Sequence, residues 1–222
     1  MIKAVVFDMD GVLFDTERLS IDSIFQTARE MGLNTPAPAV YGLLGRNTVD
    51  GNAFFRKEME KVYPGGTFPH EEFRARHRAR YAAELEKNLP LKKGVKEILR
   101  FLKEKEVKLA VATSTEEPRV RGFLARHDMT GFFDAIITGD MVEHSKPQPD
   151  IYQKACAVLG VACEEAVAVE DSPNGICSAH AAGMFAVMVP DLVQPTEEMR
   201  RMSDLICEDM PALQKYLEGV LL

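Results

Sequence analysis

Asp8 and Asp10 stand two residues apart at the end of a short apolar run, in Phe7-Asp8-Met9-Asp10-Gly11. In extended backbone alternate side chains point to the same side, so the two carboxylates face one region of space. Unneutralised they repel, and one of them would hold a proton. A divalent cation relieves the repulsion, and an all-oxygen donor set favours magnesium. The chemistry open to such a pair is attack by one carboxylate and proton transfer by the other. A polar turn that merely closes a strand is the competing reading, and the pair alone does not decide between them.

Three other segments supply complementary groups, each after an expected strand. Val107–Ala112 is followed by Thr113-Ser114-Thr115, whose hydroxyls and amides suit a phosphoryl oxygen. Asp134–Thr138 is followed by Gly139-Asp140 and then by Lys146-Pro147-Gln148-Pro149, where Lys146 can neutralise a phosphate or a nucleophile and the prolines stiffen its loop. Ala166–Val169 is followed by Glu170-Asp171-Ser172-Pro173-Asn174-Gly175, a second acidic pair able to complete a metal site. Singly, each segment has a bland alternative that competes with the chemical one: a helix cap, a surface lysine and a capping turn. Their joint occurrence at the ends of strands of one sheet favours chemistry.

The elements that must position these residues follow from the hydrophobic period. Ile2–Phe7 is a short run containing Ile, Ala, Val, Val and Phe, suited to a strand buried on both faces. Ile21, Ile24, Phe25 and Ala28 then mark one face of an amphipathic helix that stops near Gly32. Residues 15–86 are helical in pattern, divided by Pro36, Pro38, Pro64 and Pro69 into about four helices. After Pro90 the chain alternates helix and strand, with helices expected over Glu116–Arg126, Ile151–Leu159, Pro173–Ala182 and Pro211–Leu217 and a strand over Phe185–Val189. Such alternation predicts an α/β fold: a doubly wound, Rossmann-like parallel-sheet core from residues 1–14 and 87–222, with 15–86 inserted as a helical cap domain. Ligands of open α/β sheets bind at the carboxyl ends of the strands, where all four segments fall.

Composition narrows the partners. The 222 residues carry 27 basic and 34 acidic side chains, a net charge of −7, which disfavours nucleic acid but leaves room for a locally positive pocket. The four cysteines have no metal-ligand spacing and read as reduced apolar residues. There is no run long enough to cross a bilayer and no secretory leader pattern, so no membrane partner and a cytoplasmic location are expected.

In Phe7-Asp8-Met9-Asp10-Gly11-Val12-Leu13-Phe14-Asp15-Thr16-Glu17, in Thr113, in Ser145-Lys146-Pro147-Gln148-Pro149-Asp150 and in Glu170-Asp171-Ser172-Pro173-Asn174-Gly175, the chain resembles the haloacid dehalogenase superfamily. The likeness is to its helical-capped phosphatases and phosphomutases, the β-phosphoglucomutase-like branch. The resemblance implies that Asp8 forms an aspartyl-phosphate while Asp10 protonates the leaving group and later activates water. It implies Mg2+ held by Asp8, the Asp10 backbone carbonyl and Asp171, with Glu170 as a direct or water-mediated ligand. Thr113 and the Ser114 amide would bind phosphoryl oxygens and Lys146 would offset charge. Asp10 sets the chain apart from the family's dehalogenases, which lack an aspartate there. Ser20 stands where the mutase has a histidine, which favours a hydrolase of a small phosphorylated metabolite over a phosphomutase. A catalytically weak binding or regulatory protein is the third alternative. In the cap, Arg46 in Gly45-Arg46-Asn47 and His77 in the basic run 74–80 are the candidate substrate contacts. A monomer is expected.

Overall fold

The computed structural model describes residues 1–44 and 48–221. It divides into two compact units, Met1–Phe14 with Leu91–Leu222, and Asp15–Pro90.

The second unit is helical: α1 (Thr16–Glu30), α2 (Ala37–Tyr41), α3 (Thr48–Val62) and α4 (His70–Lys87). Helix α1 buries Ile21, Ile24 and Ala28 and packs along α4. A cluster of rings holds the other end, with Phe55 stacked on Phe73 at 5.6 Å and set edge-on to Phe68 at 5.7 Å. Both joints of the unit lie side by side, since the Asp15 amide donates to the Pro90 carbonyl at 2.9 Å.

The first unit contains α5 (Val95–Glu104), α6 (Glu117–Arg126), α7 (Asp150–Leu159), α8 (Pro173–Ala181), α9 (Glu197–Met202) and α10 (Met210–Val220). Its strands are β1 (Ala4–Phe7), β2 (Lys108–Thr113), β3 (Ala135–Thr138), β4 (Ala166–Glu170), β5 (Phe185–Met188) and β6 (Leu205–Ile206). All pair in parallel in the order β3-β2-β1-β4-β5-β6, so this unit is a doubly wound α/β core. The chain leaves β1 toward β2 and β3, then crosses back to β4 on the other side of β1. That reversal opens a crevice at the carboxyl ends of β1 and its two neighbours, which is where an open sheet binds ligand.

The two faces of the sheet carry different side chains. One face bears Ala4, Val6, Ala110, Ala112, Ala166, Ala168 and Ala186, all buried, and α7 packs on it through Ile151, Tyr152, Ala155 and Leu159. Small residues let α7 approach closely and leave room for the ring of Tyr152, which is fully buried. The opposite face carries the larger Val5, Phe7, Leu109 and Val111.

Local chemistry sets the helix starts. Ser172 accepts from the Gly175 amide at 3.0 Å and Pro173 occupies the first turn of α8. Asp209 accepts from the Ala212 amide at 2.9 Å, which starts α10 one residue before the expected Pro211; the helix then runs on to Val220. Helix α9 and strand β6 were not expected from the sequence. The first is six residues begun by a Thr196 cap, and the second is two residues long, too short for a period to show. Among the described residues no helix is long and apolar enough to cross a membrane.

Candidate active site

The end of β1 is held inside the sheet, where the Asp8 amide donates to the Val169 carbonyl of β4 at 2.9 Å. The chain then turns tightly, with the Gly11 amide donating to Phe14 O at 2.8 Å and Leu13 to Met9 O at 2.9 Å. Gly11 has φ of +81°, a conformation that favours glycine, and a Cβ there would collide with the Asp171 carboxylate. Gly175 is required for the same reason, because a Cβ at that position would collide with the carboxylate of Glu170. The two glycines thus let the turn and the start of α8 close around two acidic side chains. Gly11→Ala is expected to lower stability by about 1–3 kcal/mol through strain and overpacking, read from the urea midpoint; an unchanged midpoint would refute this account of the turn.

Lys146 joins the strand ends. Its Nζ donates to Asp8 Oδ1 at 2.5 Å, to Glu170 Oε1 at 2.6 Å and to the Ala112 carbonyl at 3.0 Å. Three donors meet three acceptors from β1, β2 and β4, and the lysine is 7% exposed. Glu170, fully buried, also accepts from the Tyr152 hydroxyl at 2.7 Å, and its other oxygen accepts from Ser172 Oγ at 3.2 Å. The Lys146 ammonium lies 5.1 Å from the centroid of the Tyr152 ring, within range of a cation–π attraction.

Asp8, Glu170 and Asp171 bring carboxylate oxygens within 4.8 Å of one another, all buried. Burial pushes Asp8 up from 3.8 to about 8, with Glu170 and Asp10 adding to the rise and Lys146 opposing it. Burial alone would lower Lys146, but the charges of Asp8 and Glu170 outweigh it and hold the ammonium above its ordinary value. The two shifts pull in opposite senses for one ion pair: the charges around Lys146 outweigh its burial, whereas Lys146 does not outweigh the burial of Asp8, to which Glu170 and Asp10 add. We read this as a site with an excess of carboxylates over cations. The donor set is all oxygen, so the residues present fit a hard divalent cation, which would return Asp8 to its ionised form.

Thr113, at the end of β2, is 1% exposed and accepts the Thr115 amide at 3.1 Å, while Ser114 is exposed. The Thr115 hydroxyl donates to Asp10 Oδ2 at 2.8 Å. Of the residues named from the sequence, Asp8, Lys146, Glu170 and Asp171 thus meet in one buried cluster, and Thr115 links the β2 end to Asp10. His77 lies in the helical unit, on α4, its ring stacked on Tyr81 at 6.1 Å. Burial holds it below the ordinary histidine value, against a backbone hydrogen bond with Ser20 that raises it. Its Nε2 is buried with no hydrogen-bond partner among the described residues. Arg46 lies outside the described residues.

Tyr152 was missed, although a signal existed: a tyrosine among the apolar positions of a helix must find a partner for its hydroxyl when buried. Thr115 was read as one of three groups for a phosphoryl oxygen, whereas its hydroxyl is given to Asp10.

Residues 5–189 match the family described as haloacid dehalogenase-like hydrolase. The chain is 35% identical over 185 residues to the phosphorylated carbohydrates phosphatase of Thermotoga maritima, covering 82% of each chain. A CbbY variant from Rhodobacter sphaeroides, solved in complex with xylulose-(1,5)bisphosphate, is 28% identical with a TM-score of 0.74, covering 95% of each chain. The β-phosphoglucomutase of Clostridium difficile shares the fold, with a TM-score of 0.77 at 20% identity over 100% of this chain and 97% of that one.

Proposed function

The chain belongs to the haloacid dehalogenase-like hydrolase family and is a phosphatase of that family, and from this premise we propose that it hydrolyses a small phosphorylated carbohydrate, with magnesium, through an aspartyl-phosphate at Asp8. The observation that carries the reading is the buried cluster in which Lys146 bridges Asp8 and Glu170 beside Asp171.

In the proposed reaction an Asp8 oxygen attacks phosphorus as the bond from phosphorus to the ester oxygen breaks. Asp10 gives its proton to that departing oxygen. Asp10 then takes a proton from water, whose oxygen attacks phosphorus; the bond to Asp8 breaks, releasing phosphate. Thr113 and the Ser114 amide orient the phosphoryl oxygens, and Lys146 offsets the negative charge that collects around Asp8. Asp8, the Asp10 carbonyl and Asp171 are the proposed magnesium ligands, with Glu170 beside them. Magnesium, when bound, supplies the additional positive charge the cluster lacks. Positioning and charge neutralisation are the main sources of rate in phosphoryl transfer.

The carbohydrate part of the proposal rests on the likeness to the Thermotoga phosphatase and to the sugar-bisphosphate complex. We assign the reading of the rest of the substrate to Arg46 and His77. Ser20, where the mutases carry histidine, supports hydrolysis over phosphoryl return to a sugar.

A panel of sugar phosphates, nucleotides and phosphoacids tests this. Phosphate release from at least one sugar phosphate is expected, falling about 100-fold or more with EDTA and returning with magnesium. Isomerisation of a hexose 1-phosphate with little free phosphate would replace the hydrolase by a mutase. No turnover of any ester would leave a binding protein.

A further inference from the structure

Thr115 has no role of its own in the proposed mechanism, yet it ties two of the groups in that mechanism together. Its hydroxyl donates to Asp10 Oδ2 at 2.8 Å across 105 residues of sequence. Its amide donates to Thr113 Oγ1 at 3.1 Å. A hydroxyl has one proton to donate, and here it is committed to the carboxylate. Thr113 Oγ1 is in turn used as an acceptor by the Thr115 amide, which leaves the Thr113 hydroxyl proton to be given elsewhere. Threonine is stiff about χ1, so its hydroxyl direction is set by the end of β2 and is not free to wander.

We propose that Thr115 is a positioning residue: it fixes the carboxylate plane of Asp10 relative to the phosphoryl-binding end of β2, so that the proton carrier and the phosphoryl anchor keep one spacing. The inference rests on the reading of Asp10 as the proton carrier. Thr115 is not the sole partner of Asp10, so its removal loosens the carboxylate without releasing it altogether.

Leaving-group dependence separates this role from a merely structural one. An alkoxide needs a proton as it departs, whereas p-nitrophenolate leaves without one. The ratio kcat/KM reports the steps up to departure of the leaving group. Thr115→Val is expected to lower kcat/KM for a sugar or alkyl phosphate by about 10- to 100-fold, a part of the usual contribution of general acid catalysis. For p-nitrophenyl phosphate the fall should be less than about 3-fold by the same reasoning, and Thr115→Ser should retain most of both rates. Equal losses on the two substrates, or no loss on either, would overturn the inference. Asp10→Asn is the control, expected to show the same signature more strongly. If Asp10→Asn lacks it, the assignment of Asp10 fails and the inference with it. If Asp10→Asn shows it and Thr115→Val does not, the inference about Thr115 fails alone.

Discussion

Asp8→Asn is expected to abolish phosphate release, by about 10⁴-fold or more, while leaving the protein folded. Removal of an attacking group commonly costs that much, because what survives is binding and electrostatic stabilisation without a covalent route. Asparagine keeps an oxygen for the Lys146 ammonium, now at 2.5 Å from Asp8 Oδ1, so the cluster retains that bond. It also removes a carboxylate whose ionisation burial opposes. Burial raises Asp8 from 3.8 to about 8, so the metal-free native protein binds a proton there that the unfolded chain has lost. Stability falls with rising pH wherever the native state binds more protons, so this group's contribution declines between about pH 4 and 8. Asp8→Asn should flatten that decline, and magnesium should raise the melting temperature of the unmodified protein most near pH 8. Urea unfolding at several pH values, alongside the phosphate assay, measures both. Wild-type activity in the variant would end the assignment of Asp8 as nucleophile.

Lys146→Met is expected to damage both rate and stability. The ammonium sits between Asp8 and Glu170 at 2.5 and 2.6 Å and also holds the Ala112 carbonyl at 3.0 Å. Removing one member of a buried ion pair leaves the partner charges uncompensated, at a cost of about 3–5 kcal/mol. Here the buried Glu170 would lose its cation beside the Asp8 carboxyl group, with the Tyr152 and Ser172 hydroxyls still on it. Without the cation, charge on the phosphoryl group also goes unbalanced, and a fall in kcat of about 10²–10³-fold is expected. Magnesium should restore part of the stability and little of the rate, since it cannot occupy the place of the ammonium and its own at once. Thermal unfolding with and without magnesium, paired with single-turnover hydrolysis, separates the two effects. A variant as stable as the parent without magnesium would show that Lys146 is not the cation that balances Asp8 and Glu170.

The parts of the fold legible in the sequence are those where one physical signal dominates. Strands β1, β2 and β4 each contain an apolar run, Ala4–Phe7, Leu109–Ala112 and Ala166–Val169, because both faces of the sheet are covered there, and each run ends at a change to polar residues. That change placed Asp8, Thr113 and Glu170-Asp171 at strand ends without any knowledge of strand order. Lys146 was visible as a lysine set among prolines, but its insertion between Asp8 and Glu170 depends on β1 lying between β2 and β4, which no local pattern encodes. Tyr152 was hidden because it occupies an apolar position on α7, and only the alanine-rich face beneath it shows why a tyrosine fits. The pairing of Thr115 with Asp10 was hidden for a related reason: Asp10 is 105 residues away, and the contact exists only once β1 and β2 are in register. Glu170 reads differently in three dimensions, since both of its oxygens already accept hydrogen bonds, from Lys146 and Tyr152 on one side and Ser172 on the other.

Passage of the phosphoryl group through Asp8 is tested most directly by trapping the phosphorylated protein. The protein would be mixed with a substrate and magnesium, quenched in acid within a turnover, digested, and its peptides weighed. One phosphoryl group is expected on the peptide that contains Asp8, absent in Asp8→Asn and decaying as free phosphate appears. Steady release of phosphate with no phosphorylated Asp8 at any time in the turnover, or with the phosphoryl group on another residue, would contradict it.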